Sequence, residues 1–255
     1  MGYFIRTRQN RFLYWQPTSV SVKINIQILL GMVKRMKFRS VFDIIGPIMI
    51  GPSSSHTAGA LRIGRMARKL FGREPKWASV HLYGSFAQTY KGHGTDVAIV
   101  GGILDFDTFD DRIKDSLEIA RKKGIEIQFI EEEAILDHPN TAKIIIGDEE
   151  EKIELVGISI GGGKAEIVEL NGFHLNLSGN YPAILVLHYD RYGAVASVAS
   201  ILAQHKINIG RMEVSRKELG KEALMVIETD QQIDLSILNQ LEQEENIIQV
   251  AKVSD

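Results

Sequence analysis

Four strand-like runs follow one another at 141–146, 153–160, 165–170 and 173–177, with only short polar or glycine-rich breaks between them. The last break, Asn171-Gly172, is a strong hairpin signal, because the tightest antiparallel turn needs positive φ at both central residues. Another break, Gly161-Gly162-Gly163, invites comparison with nucleotide-binding loops. From Gly157 onward the lysine, Lys164, falls one place late for a phosphate-binding loop, and Ala165 stands where a hydroxyl should coordinate magnesium. Strand-like sequence follows, so the glycine fingerprint that opens a helix in dinucleotide-binding folds is also missing, which excludes a dehydrogenase. The triple glycine reads as a bulge or close-approach turn between strands.

The rest of the chain mixes helices with strands, an α/β (α+β) pattern. Residues 57–71 place Ala60, Leu61, Gly64, Ala67 and Leu70 at helical spacing and close at Gly72, while 79–83 alternates as a strand. Residues 110–123 read as an amphipathic helix ending at Gly124, and 125–130 as a strand. Glu131-Glu132-Glu133 reads as a solvated turn, since metal-ligand spacing is absent, and Asp137-His138-Pro139-Asn140 as a turn stopped by proline. A boundary falls at Ser178-Gly179-Asn180-Tyr181-Pro182. Beyond it come strand 183–187, helix 194–205, strands 207–214 and 223–229, helix 234–243 and strand 247–253. This is a βαββαβ module of ordinary domain size.

Residues 1–35 stand apart, with Arg6, Arg8, Arg11, Lys23, Lys34 and Arg35 and no acidic residue before Asp43. The apolar run 24–33 is interrupted by Asn25 and Gln27, unlike a signal peptide. Met36 reads as a natural start behind an upstream or added, poorly ordered extension. Residues 40–50 are expected to form a short helix and an extended turn.

A chain of 255 residues can hold two domains. Its net charge of -2, without an aromatic-rich basic stripe, argues against nucleic acid, and no run of about 18 apolar residues suggests a membrane span. A cytoplasmic location is expected. The absence of cysteine excludes disulfides, a cysteine nucleophile and thiolate ligation of zinc or of an iron-sulfur cluster by this chain.

Two polar knots carry the chemistry. Gly51-Pro52-Ser53-Ser54-Ser55-His56-Thr57-Ala58-Gly59 sits where a helix begins, so free N–H groups and the positive end of the dipole point outward there. Either an elaborate N-cap or a site for a carboxylate or phosphate fits. After the strand, Tyr83-Gly84-Ser85-Phe86-Ala87 leads to Lys91-Gly92-His93-Gly94-Thr95-Asp96, where Thr95 or Asp96 can cap an apolar helix over 97–104. Alone, His93 reads as a loop residue. As a second exposed-type histidine at a second helix start, it becomes a candidate for acid–base work.

From Met36 onward the chain resembles the beta chain of bacterial iron-sulfur-dependent L-serine dehydratases. Phe42-Asp43-Ile44-Ile45-Gly46-Pro47, both polar knots, Tyr83 to Ala87, His138-Pro139-Asn140-Thr141 and Ile158-Ser159-Ile160-Gly161-Gly162-Gly163 carry the likeness. The C-terminal module resembles an ACT domain. The resemblance implies an allosteric-substrate-binding type α/β domain over 36–179 and a ferredoxin-like ACT domain over 180–255. It also implies a separate alpha chain whose cysteines hold a [4Fe-4S] cluster that acts as Lewis acid on the hydroxyl of L-serine.

On that resemblance His56 and His93 are catalytic, without a choice of which takes the α-proton. Ser53, Ser54, Ser55, Thr57, Gly94, Thr95 and Asp96 would bind substrate, and no metal ligand lies on this chain. In the ACT module, His188, Asp190 and, from a neighbouring copy, Asn208 are candidates for a regulatory amino-acid site. Asp190 departs from the amide of serine-sensing relatives, which leaves association of ACT sheets as an equal role for the module. Alternatives are a non-catalytic sensor of amino or hydroxy acids and a structural assembly subunit.

Overall fold

The computed structural model describes residues 49–253, all within one compact unit spanning Phe42–Asp255. The expectations for residues 1–48 lie outside the described residues.

A π-helical turn, Ser54–Gly59, runs directly into helix α1, Ala60–Phe71, which stops at Gly72 with φ 81° as the sequence signals. The turn thus begins three residues earlier than the helical periodicity suggests. Strand β1 (Trp77–Tyr83) feeds α2 (Gly84–His93), and α2 is joined through Gly94 alone to α3 (Thr95–Ile103). A short 3₁₀ turn, Asp111–Asp115, and α4 (Ser116–Lys122) return the chain to β2 (Glu126–Glu131), parallel to β1. Strands β3 (Asn140–Gly147), β4 (Lys152–Gly161), β5 (Lys164–Leu170) and β6 (Phe173–Leu177) then add antiparallel neighbours. The sheet order is β2-β1-β3-β4-β5-β6.

Both glycine turns form between strands. Asn171 and Gly172 take φ 47° and 79°, and all three residues of the triple glycine have positive φ. The β4–β5 register shifts between Ser159 and Gly161, the bulge that a residue without Cβ permits.

The second sheet takes β7 (Ala183–Tyr189), β8 (Ile209–Arg216), β9 (Glu222–Thr229) and β10 (Ile247–Val253) in the order β10-β7-β9-β8, with α5 (Ala194–Gln204) and α6 (Leu235–Glu242) as connections. This is the expected βαββαβ region. Its inner strands are apolar on both faces for a physical reason. Ile184, Val186, Met225 and Ile227 pack with Val198, Ile201, Leu238 and Leu241, on the face covered by α5 and α6. Ala183, Leu185, Leu224 and Val226 join the core of the first sheet. Successive side chains point to opposite faces, so a strand covered on both sides reads as continuously hydrophobic. The turn at 178–182 separates the two sheets while their cores stay continuous.

In the first sheet Val80, Leu82, Ile144 and Ile146 pack with Leu61, Ile63, Ile99 and Ile103. Helices α1 and α3 touch backbone to backbone. A Cβ on Gly64 would lie 2.1 Å from the Ile99 carbonyl oxygen, and one on Gly102 2.0 Å from that of Leu61. Only glycine at both positions permits this approach. Among the described residues no helix is long and apolar enough to cross a membrane.

Candidate active site

The two polar knots meet in space. His56 lies in the π turn and His93 is the last residue of α2, one residue before α3; their rings are 4.9 Å apart, edge to face at 83°. Phe86, fully buried, also meets the His56 ring, with centroids 5.4 Å apart.

The His56 ring is held at both nitrogens. Nδ1 lies 3.0 Å from Ser55 Oγ and 3.4 Å from Ser53 Oγ, while Nε2 lies 2.9 Å from Ser85 Oγ. A neutral imidazole has one donor and one acceptor nitrogen, and a hydroxyl serves either role, so these contacts suit the uncharged ring. Burial, reinforced by the neighbouring His93, lowers the His56 pKa below its ordinary value. The ring is therefore neutral at pH 7 and able to accept a proton.

The backbone around it is pinned by two contacts that do different work. Ser53 is the N-cap, its Oγ accepting from His56 N at 3.1 Å, and Thr57 N donates to the Ser53 carbonyl at 2.9 Å. From β4, the fully buried Ser159 donates through Oγ to the Ser55 carbonyl at 2.9 Å. Ser159 fits because position 59 is glycine: a Cβ there would lie 2.0 Å from Ser159 Oγ. The triple-glycine strand thus supports the His56 turn.

Thr57 directly follows His56 in the π turn, and Thr95 opens α3 two residues after His93. Both are buried, at 4% and 0% exposure, and neither Oγ1 has a hydrogen-bond partner. Buried hydroxyls are ordinarily paired, so two orphans at adjoining helix starts are unusual. The cap position of α3 is Gly94, without a side-chain cap bond, and Asp96 in the first turn accepts through Oδ1 from Val97 N at 2.9 Å. The structure therefore brings Ser53, Ser55, His56 and His93 together, with Thr57 next to His56 and with Gly94 and Thr95 directly after His93; among the described residues no hydrogen bond through the Ser54 side chain is seen.

Reasoning from residue chemistry did not select Ser85, Phe86 or Ser159 as site residues. Their only signal was membership in the motifs that carry the family likeness.

The C-terminal candidates are distributed differently. His188 is buried, and its Nδ1 donates to the Tyr189 carbonyl at 2.8 Å, leaving Nε2 as an unpartnered acceptor. Asp190 Oδ2 accepts from Gly220 N at 2.9 Å and Arg216 Nη1 at 3.0 Å, and these two contacts hold its carboxyl below the usual range. Asn208 bonds Asp230 at 2.6 Å. It lies where Ile209 pairs Thr229, whereas Asp190 lies where Tyr189 pairs Glu222. Seven residues of β9 separate these ends, about 24 Å of strand.

Comparison with known proteins identifies the family. Residues 40–114 match the family model "Serine dehydratase beta chain", and 183–246 match "ACT domain". The "Probable L-serine dehydratase, beta chain" of Bacillus subtilis (strain 168) is 66% identical over 220 residues, covering 86% of this chain and 100% of the relative. The "L-serine dehydratase, beta chain" of Peptoniphilus asaccharolyticus is 39% identical over 203 residues, covering 78% of this chain and 90% of the relative. The "L-serine dehydratase" of Streptomyces coelicolor (strain ATCC BAA-471 / A3(2) / M145) is 41% identical over 118 residues, covering 40% of this chain but 26% of that longer protein. With a relative 66% identical and matched along its whole length, the chain belongs to the serine dehydratase beta-chain family.

Proposed function

We infer that this chain is the beta subunit of a [4Fe-4S]-dependent L-serine dehydratase, working with a cysteine-bearing alpha chain to convert L-serine to pyruvate and ammonia. The observation that carries the reading is His56, neutral and gripped by hydroxyls at both ring nitrogens, with His93 against its face.

The reaction removes the α-proton and the β-hydroxyl of serine to give aminoacrylate, which tautomerises and hydrolyses to pyruvate and ammonia. The substrate carboxylate is assigned to the first turn of the His56 segment, where hydroxyls of Ser53, Ser54, Ser55 and Thr57 and the N–H groups at a helix start supply donors. Gly94, Thr95 and Asp96 are assigned to the second wall of the site, next to the buried, unpartnered hydroxyls of Thr57 and Thr95. The α-proton passes to an imidazole of the His56–His93 pair.

The donor set of this chain does not fit an iron-sulfur cluster. There is no cysteine in the sequence, and among the described residues no group of three or more His, Asp or Glu could hold a metal. The cluster is therefore assigned to cysteines of the alpha chain. In the same reading residues 36–179 are the substrate-binding domain of the allosteric-substrate-binding type. Residues 180–255 are an ACT domain that associates with a second copy. A regulatory amino acid at His188 and Asp190 would have to share Asp190 with Arg216, and Asn208 could complete that site only from another copy.

The test is anaerobic reconstitution with the cluster-loaded alpha chain and an assay of pyruvate from L-serine, beside each chain alone. Pyruvate from the mixture only is the expected result. A complex that forms yet makes no pyruvate would move the assignment to an amino-acid sensor.

A further inference from the structure

We propose that the connection between β2 and β3, residues 132–139, is the dock for the alpha chain, through a partner surface that is apolar at its centre and basic at its rim; this rests on the beta-subunit reading above. The position of the connection carries the argument. It starts beside Leu82, whose carbonyl accepts from Glu132 N at 2.9 Å, and ends beside Ser85, whose N donates to the Pro139 carbonyl at 2.8 Å. It therefore brackets the junction of β1 and α2, where Ser85 meets His56 Nε2. A second chain that completes the site at His56 has to cover this junction, and in doing so it meets the connection.

The returning end is fixed. A Cβ on Gly84 would lie 2.7 Å from the Pro139 carbonyl oxygen, Asn140 N donates to His138 Nδ1 at 3.1 Å, and Thr141 Oγ1 donates to the His138 carbonyl at 2.6 Å. This gives the His138-Pro139-Asn140-Thr141 motif a physical task, which is to hold the connection against α2. The outer part presents Ile135 at 97% exposure and Leu136 at 41%, on a groove of about 660 Å³ also lined by Ala87 and Gln88 of α2. Glu131 and Glu133 line the same groove, and both are exposed, as is Asp137 next to Leu136 in the chain. An exposed large apolar residue on a groove that carboxylates also line fits a partner that buries the apolar part and pairs the charges: the first supplies affinity, the second encounter rate and orientation.

The experiment is isothermal titration of the full chain with anaerobic, cluster-loaded alpha chain, comparing wild type, Ile135→Asp, the double variant Glu131→Lys with Glu133→Lys, and Leu219→Asp. Leu219 is an exposed apolar residue of the β8–β9 turn and serves as control. Ile135→Asp is expected to weaken binding at least tenfold. The charge reversal is expected to weaken it and remove its salt dependence, and Leu219→Asp to bind as wild type. Wild-type affinity in both Ile135→Asp and the charge reversal overturns the dock. Loss of self-association in Ile135→Asp by sedimentation, with alpha-chain binding unchanged, assigns the surface to a second copy and also overturns it. A wild-type chain that does not bind the alpha chain removes the beta-subunit reading itself, and the dock with it.

Discussion

The π turn at His56 and the end of β7 with the loop that follows it look alike in sequence, each a histidine among polar residues with a glycine at a helix start, yet their polar groups are used differently. At the first, the side chains converge on one ring from segments 29 residues apart, and two buried hydroxyls are left without partners. At the second, the carboxylate of Asp190 is taken up by Arg216 and Gly220 N, tying the loop to the β8–β9 turn, so that of this cluster only the buried His188 Nε2 is left without a partner among the described residues. A polar cluster is reactive when its groups point at a shared space with hydrogen-bonding capacity left over. It is structural when that capacity is consumed within the fold.

The strongest way to break this contrast is to remove the ring at the centre of the first cluster. His56→Ala in the reconstituted enzyme should lower turnover by ~10²–10⁴-fold, the range for loss of a general base or of the group that holds it, and His93→Ala should act similarly. Both should keep wild-type circular dichroism, because His56 is partly and His93 largely open to solvent. Near-normal turnover in both variants would make the cluster an N-cap and nothing more.

A smaller effect tests whether the cluster is held from below. In Gly59→Ala the added methyl meets the fully buried Ser159, with Cβ at 2.8 Å and Oγ at 2.0 Å, so either the turn or β4 has to move. Overpacking of this kind costs about 1–3 kcal/mol. A urea midpoint lowered accordingly, with the companion Ser159→Gly restoring part of it, is the expected result. An unchanged midpoint in Gly59→Ala would mean that the turn is not packed on the sheet as described.

How legible these features were depends on the distance over which each is specified. The strands at 141–177, the Asn171-Gly172 turn and the whole βαββαβ order are local: alternation and turn chemistry determine them within a few residues, and they form where the pattern places them. Helix α2 was not signalled. Its ten residues begin with glycine and carry another just before His93, and its hydrophobic face is limited to Phe86 and Tyr90. Packing, rather than propensity, makes it helical. The two histidines were visible as residue types, but their meeting was not, since it depends on α1 and α3 touching through Gly64 and Gly102. Ser85 is the clearest case. A serine 29 residues from the histidine it contacts has no periodic signature, and only the fold places it at 2.9 Å from Nε2.

The smallest expected effect belongs to the second cluster, and it depends on pH. The Asp190 carboxyl has a folded-state pKa below its unfolded value, first through the Gly220 N–H and then through Arg216. Over the interval between those two values the unfolded chain binds more protons. The contacts therefore stabilise the fold above the ordinary carboxylate range, and that contribution is lost as pH falls through the lowered folded value. Asp190→Asn keeps an oxygen for Gly220 N and gives up the charge opposite Arg216. Its urea midpoint should lie slightly below wild type at pH 7, and the two should converge once the pH is well under about 4, where the wild-type carboxyl also becomes neutral. A gap that persists unchanged in acid would show that the variant acts through packing instead of charge. No gap at pH 7 would mean that Asp190 is not tying the loop down, and the contrast between the two clusters would then lose its structural half.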